Sequence, residues 1–338
     1  MALSVKTGAY FFGCEGAVLN KSEASFFRDS APLGFILFSR NLENPDQIRR
    51  LTSELREAVG YDAMILIDQE GGRVERMGQP HWSSWMPPLD QVRRVTQNHG
   101  LEAAARSMYL RYQVIAAELL SVGIDVNCAP CADIAHADTH PVLLNRCYGE
   151  DLEAVVKISR SVSQAHLDAG ALPVMKHMPG HGRATLDSHH KLPNVSASDT
   201  ALRSNDFAAF TALNDLPLGM SAHIVYEALN QKGPATTSRE MINLIRNDIG
   251  FSGLLMTDDI SMNALSGDVG ERSAASLAAG CDVILHCNGD GPEMQQIASV
   301  AGVMGDAARM RAEQAMALRS HGAAVDISAS MDELKTLL

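Results

Sequence analysis

Short apolar runs recur along the chain, and most are separated by stretches with helical periodicity. The runs GFILF, AMILI, LPVM and DVIL are nearly unbroken, which is the pattern of parallel strands buried on both faces. Candidate strands are Ala9–Cys14, Gly34–Ser39, Ala63–Asp68, Gly123–Ala129, Leu172–Lys176, Leu218–His223, Gly253–Asp258 and Val283–Cys287. The segments between them read as helices. Pro45–Val59 opens after Asn44 with proline in its first turn; Leu101–Leu120, Leu152–Ala169, Ser198–Leu213, Ser238–Asp248 and Glu271–Ala279 follow. Glycines at 60, 123, 170, 250 and 280 stand where helices should stop. Eight strands alternating with helices predict an α/β fold of the (β/α)8 TIM-barrel type, a single domain over residues 1–338. The barrel is expected at about 8–290, with an Ala- and Met-rich helical segment at about 291–338 packed outside it. A doubly wound sheet is the alternative, but no Gly-rich dinucleotide fingerprint follows the early strands.

Composition narrows the function. The chain has 28 Lys+Arg against 40 Asp+Glu, a net charge of −12. No basic stripe is present to neutralise phosphates, so neither nucleic acid nor an anionic membrane surface is an expected partner. No run of about 18 apolar residues could span a bilayer, and the apolar patch Ala9–Gly13 is short for a secretory signal. The six cysteines, at 14, 128, 131, 147, 281 and 287, are too few for a disulfide framework in a chain this long. They suggest reduced thiols in a cytoplasm. Cys128-Ala-Pro-Cys131 has the spacing of a redox or zinc pair. With no second pair and no helix start after it, it reads as small buried residues at a strand end.

Polar residues crowd the strand ends, which in a barrel form one face. The densest stretch runs from Lys176 to His190 and includes Lys176-His177, Pro-Gly-His181-Gly and Asp187-Ser-His189-His190. Lys176 and His177 close an apolar strand; Asp187 and His189 ride on a loop at i, i+2 spacing, where the carboxylate can orient the imidazole. Such a histidine suits general acid/base work. His177 and His181, on a Gly/Pro loop, lack the helix that would align them for a metal. A second stretch, Gly253-Leu-Leu-Met-Thr-Asp-Asp-Ile-Ser-Met262, ends a buried strand in two carboxylates. Strand alternation sends only one into the barrel mouth; Asp258 is assigned the chemistry and Asp259 a helix N-cap. A third, Ile67 to Arg76, joins Asp68 and Arg76 across paired glycines. In a fourth, Asn145 to Asp151, Arg146 can reach the site while Glu150 and Asp151 serve a helix start. His223 is either a supporting residue or a satisfied core histidine.

Together these stretches resemble the glycoside hydrolase family 3 β-N-acetylglucosaminidases, over about Gly34 to Gly280. The KH-x-PGHG…DSH pattern is very specific; TDDISM and DQEGGRVER are specific in combination. The resemblance implies a (β/α)8 barrel. It also implies Asp258 as nucleophile, His189 as acid/base with Asp187 as its partner, and Asp68, Arg76, Arg146, Lys176 and His177 as sugar-binding residues. Met178 departs from the family's usual aromatic or aliphatic residue, and the Cys128–Cys131 segment is unusually cysteine-rich. The implied reaction is retaining release of terminal β-linked N-acetylglucosamine from muropeptide fragments in cell-wall recycling, without metal or organic cofactor. The partner is a small carbohydrate, the chain a monomer, the compartment the bacterial cytoplasm. Other readings are a broader β-hexosaminidase acting on chitin fragments, an aldolase-type enzyme with Lys176 as Schiff-base lysine, and a catalytically dead sugar-binding barrel.

Overall fold

The computed structural model describes residues 3–188, 191–229, 233–320 and 322–338. Eight parallel strands close into a barrel. In chain order the strands are β1 (Gly8–Gly13), β2 (Pro32–Leu37), β3 (Met64–Ile67), β4 (Val126–Asn127), β5 (Leu172–Met178), the short β6 (Asn194–Val195), β7 (Leu218–Ser221), the short β8 (Val225–Tyr226), β9 (Leu254–Asp259) and β10 (Val283–His286). The barrel order is β1-β10-β9-β7-β5-β4-β3-β2, and β6 pairs with β8 in a small parallel ribbon outside it. All eight candidate strands are present in the barrel. Every residue of β2, β3 and β5 is buried, as unbroken apolar runs require when helices cover one face and the barrel interior the other.

The helices between strands largely follow the sequence reading. Pro45–Val59 is capped by Asn44, whose side chain accepts from the Gln47 amide, and ends on Gly60 at φ 77°. Leu101–Leu120 and Leu152–Ala169 have the expected bounds. Two helices absent from that reading are Lys21–Ser30 and Pro88–His99. The expected Ser198–Leu213 and Ser238–Asp248 helices each contain a π-helical turn, at Leu202–Asp206 and Leu244–Asp248.

The C-terminal segment forms helices Gly291–Ala301, Asp306–Ala317 and Ile327–Leu337. The first packs against β1 and the last against Leu101–Leu120. Two arginines of this segment reach the N-terminal ends of strands. Arg311 pairs with Asp282, just before β10, at 2.7 Å, and Arg319 pairs with Asp125, just before β4. The segment thereby closes the barrel floor and leaves the opposite end open.

Candidate active site

The open end is where the strands terminate in polar residues. A cleft of about 290 Å³ lies there, lined by Asp68, Arg76, Arg146, Lys176, His177, Asp187 and Asp258. Seven of the eight predicted site residues therefore share one cavity, although they come from three strand ends and three loops. The eighth, His189, lies outside the described residues.

The cleft is built on a charge network. Lys176, at the end of β5, is 1% exposed. Its Nζ lies 3.0 Å from Asp68 Oδ1 and 2.5 Å from Glu70 Oε1. Arg146 grips the other face of Glu70 with a two-pronged contact, Nε to Oε2 at 2.9 Å and Nη2 to Oε1 at 2.8 Å. Arg76 completes the chain at 3.4 Å from Asp68 Oδ2, and its guanidinium lies 5.3 Å from the centre of the Phe38 ring. Burial opposes ionisation of Glu70, but Arg146 and Lys176 outweigh it and hold the carboxyl at about 2. Burial likewise opposes the charge on Asp68, and Lys176 and Arg76 overcome it to lower the carboxyl pKa. Burial would strip the proton from Lys176, but Asp68 and Glu70 keep its pKa above the usual lysine range. A lysine so firmly protonated has no lone pair to attack a carbonyl, which removes the ground for a Schiff-base reading.

A second layer orients the imidazoles. Asp133 follows β4, is fully buried, and accepts His177 Nδ1 at 2.7 Å and the His181 amide at 2.6 Å. Burial would raise its carboxyl pKa, but His177 and His181 bring it to about 2. With Nδ1 donating to a carboxylate, the Nε2 of His177 is left as the acceptor, 3.5 Å from Arg146 Nη2. His181 packs edge-on against His177 at 5.6 Å. Burial and the neighbouring His177 push its pKa down to about 4, so the ring is neutral at physiological pH. The loop carrying these groups is stitched to its surroundings: Thr139 Oγ1 donates to Gly182 O, the His140 amide to Ala184 O at 2.9 Å, and Arg183 pairs with buried Asp206 at 2.7 Å. Gly182 packs so tightly on the Ile134 carbonyl that a Cβ would collide with it.

Asp258 sits at the end of β9, with the Asp259 amide donating to its Oδ1 at 2.8 Å. Strict alternation is broken here, because the β9–β10 register shifts beside Asp259, and both aspartates border the cleft. Asp259 is occupied. It accepts the Ser261 amide and hydroxyl and the Cys287 amide, so it ties the end of β9 to that of β10. The expectation that Asp259 caps a helix is corrected: the next helix starts at Val269 with Asp268 as its cap. His223 is fully buried and supports this strand end. Its Nε2 donates to the Asp259 carbonyl at 3.0 Å, which leaves Nδ1 to accept from Thr236 Oγ1 at 2.8 Å. Lys176 and His177 also both reach the cleft from adjacent positions, and the β5–β7 register shifts between Met175 and Met178.

Sequence reasoning did not single out Glu70 or Asp133, and it weighed His181 only as a metal ligand. Glu70 stands two residues past Asp68 in the same loop. Asp133 stands six residues past the end of β4, beyond the reach of the strand-end rule that picks out Asp68 and Asp258.

A closed parallel barrel with paired carboxylates, cations and imidazoles gathered at its C-terminal face defines an enzyme for a polyhydroxylated ligand. Comparison with known proteins gives that class a family. Residues 16–317 match the Glycosyl hydrolase family 3 N terminal domain. A β-hexosaminidase of Alkalilimnicola ehrlichii is 34% identical over 286 residues, covering 83% of this chain and 81% of that protein. One from Bordetella avium is 32% identical over 277 residues, covering 81% and 78%. The crystal structure of NagZ from Neisseria gonorrhoeae in complex with N-trifluoroacetyl-D-glucosamine superposes with a TM-score of 0.87, at 27% identity and 98% coverage of both chains. The chain belongs to glycoside hydrolase family 3 and is a β-N-acetylhexosaminidase. No helix among the described residues is long and apolar enough to cross a membrane.

Proposed function

We propose that the protein is a retaining exo-β-N-acetylglucosaminidase that removes terminal N-acetylglucosamine from muropeptide fragments, N-acetylglucosamine linked to 1,6-anhydro-N-acetylmuramic acid with or without peptide. In this reading it serves cell-wall recycling in the bacterial cytoplasm and works as a monomer. The observation that carries the reaction type is the position of Asp258, at a buried strand end in the same cleft as the Asp68–Lys176–Glu70–Arg146 network. The six cysteines are all free, which supports a reducing compartment.

The chemistry is a double displacement. Asp258 attacks the anomeric carbon as His189 protonates the departing glycosidic oxygen, giving a glycosyl ester on Asp258. His189 then takes a proton from water, which opens the ester with net retention. Asp187 orients His189 and supports its imidazolium form. Asp68, Arg76, Arg146, Lys176 and His177 hold hydroxyl groups and set the ring for attack. An imidazolium acid in place of a second protonated carboxyl becomes a neutral ring, not a carboxylate, when it gives up its proton, so one fewer negative charge stands beside Asp258. The size of the cleft, near the lower end for small-ligand sites, favours removal of one residue at a time.

The test is covalent trapping. A fluorinated N-acetylglucosaminide should leave its sugar on the peptide bearing Asp258, and Asp258→Ala should lose at least about 10⁴-fold in kcat, with partial rescue by azide. Label mapping to another residue, or activity of Asp258→Ala near that of the wild type, would reject the reading. Release of N-acetylglucosamine from the anhydro-disaccharide, compared with chitobiose, decides the natural aglycone.

A further inference from the structure

Behind His177, which borders the sugar cleft, three potential metal ligands meet and a fourth lies in the adjoining cluster. Cys131 Sγ donates to Asp133 Oδ2 at 3.3 Å, and His177 Nδ1 donates to the same oxygen at 2.7 Å. Ligand atoms of Cys131, Asp133 and His177 all lie within 4.8 Å of one another, and all three residues are buried. Cys147 adds a second thiol beside them: its Sγ lies 3.5 Å from the Leu143 carbonyl, and it shares one small apolar cluster with Cys131, Ala135 and Leu143. The relevant partner of Cys131 is therefore Cys147, from the Arg146 loop, and not Cys128 of the C-x-x-C spacing.

We propose that Cys131, Cys147, Asp133 and the Nδ1 of His177 form an inhibitory site for a thiophilic divalent cation such as Zn²⁺. Besides the His177 amide at 3.3 Å, two side-chain protons converge on Asp133 Oδ2, and these two mark a point where a dication can replace them. Two sulfurs, one imidazole nitrogen and one carboxylate oxygen are a ligand set suited to tetrahedral zinc. Zinc–ligand bonds of about 2.0–2.3 Å put ligand atoms roughly 3.3–3.8 Å apart, so Cys131, Asp133 and His177 need contract by only about 1 Å, with Cys147 turning toward them from the adjoining cluster. His177 borders the cleft and gives the ion its way in. On binding, both thiols lose their protons to solvent, and the imidazole proton moves from Nδ1 to Nε2. Nε2 then presents a donor toward Arg146 Nη2, 3.5 Å away, and the sugar site loses an acceptor. This consequence rests on the sugar-binding role proposed for His177. It predicts inhibition expressed mainly as a raised KM.

The experiment is titration of the whole, reduced protein with Co²⁺, followed by thiolate-to-cobalt charge-transfer absorption and by proton release. One cobalt per chain should bind with the band present and about two protons released. Cys131→Ser and, separately, Cys147→Ser should each weaken binding at least about tenfold and diminish the band. In parallel, the Zn²⁺ concentration that doubles KM for an aryl N-acetylglucosaminide should rise at least about tenfold in each variant. Absence of a thiolate band, a band unchanged in both variants, or unchanged zinc sensitivity in both would overturn the proposal. The spectroscopic titration does not depend on turnover, so a wrong substrate assignment leaves it readable.

Discussion

Both ends of the barrel bury arginine–carboxylate networks, yet the two terminate differently. At the closed end Asp125 accepts the Ile65 amide at 2.7 Å and pairs with Arg56 and Arg319. Arg56 also donates to the carbonyls of Ala63 and Gly123 and pairs with Asp62 at 3.0 Å. Asp282 accepts the Leu255 amide and pairs with Arg246 and Arg311, and Arg246 donates onward to Phe251 O and Gly253 O. Both carboxylates accept a strand amide, and Arg56, Arg246 and Arg319 donate onward to backbone carbonyls, with Asp62 as a further partner of Arg56 and Arg319, so these networks fasten strand beginnings to one another. At the open end Asp68, Glu70, Lys176 and Arg146 end chiefly on one another and on the cleft. The same residue types act as fasteners when the main chain satisfies them and as ligand-binding groups when a cavity interrupts the network.

The most drastic way to break this comparison is to remove one cation from each end. Lys176→Met leaves Asp68 and Glu70 as neighbouring buried carboxylates. The penalty for an uncompensated buried charge, roughly 3–5 kcal/mol, should appear as a loss of about 10³-fold in kcat/KM, with some loss of stability. Arg319→Met leaves Asp125 its Arg56 partner and its backbone donor. It should lower stability by about 2–3 kcal/mol and leave kcat/KM of the folded fraction within about twofold. Denaturant unfolding and steady-state kinetics on both variants check this; a large kinetic defect in Arg319→Met would erase the distinction between the ends.

The acid limb of stability sharpens it. Glu70 titrates at about 2 in the folded protein, below its ordinary value. A depressed carboxyl stabilises the fold above the unfolded pKa of about 4.3, and that contribution disappears as pH falls through the folded value. At Asp125 burial outweighs both arginines and raises the carboxyl pKa. The folded state therefore binds that proton more tightly, and its contribution is lost as pH rises past about 3.9, the unfolded value. The stability gap between wild type and Glu70→Gln should shrink as pH falls from 5 toward 2.5. The gap for Asp125→Asn should shrink as pH rises over the same window. Urea unfolding across that window reads both slopes, and slopes of the same sign would contradict the assignment.

The two ends also differed in how far sequence could reveal them. Strand existence was plain from apolar runs, and strand ends marked the open face. β4 was read too long: the expected Gly123–Ala129 forms a ladder only at Val126–Asn127, and Pro130, which has no N–H, follows closely. Helix Lys21–Ser30 escaped because it buries only Glu23 and Phe27, although Asn20 and Glu23 form a capping box that sequence does contain. In the site, Asp68, Lys176 and Asp258 were legible as polar residues ending apolar strands. Asp133 was not singled out, because its role exists only through His177 and His181, 44 and 48 positions away. The floor network was invisible for the same reason: Arg319 and Asp125 are 194 positions apart. Periodicity locates elements, but the partner of a buried charge is set by closure of the barrel.

The smallest effect is expected from an ion pair belonging to neither end. Arg106 holds Glu333 through two contacts of 2.7 Å, joining the last helix to Leu101–Leu120. The geometry matches that of Arg146 on Glu70, but the side chains are 48% and 45% exposed. Water screens the pair and solvates either partner when the other is removed, so Arg106→Ala should destabilise by only about 0.5–1 kcal/mol. Added salt should shrink even that difference, and kcat/KM should not change. The buried pairs should respond weakly to salt, because ions cannot approach them. Measuring all three arginine or lysine variants at low and high salt separates pairing from burial. A loss in Arg106→Ala equal to that in Arg319→Met would show that two-pronged contact alone sets the strength, and the contrast drawn between the ends of the barrel would then have no physical basis.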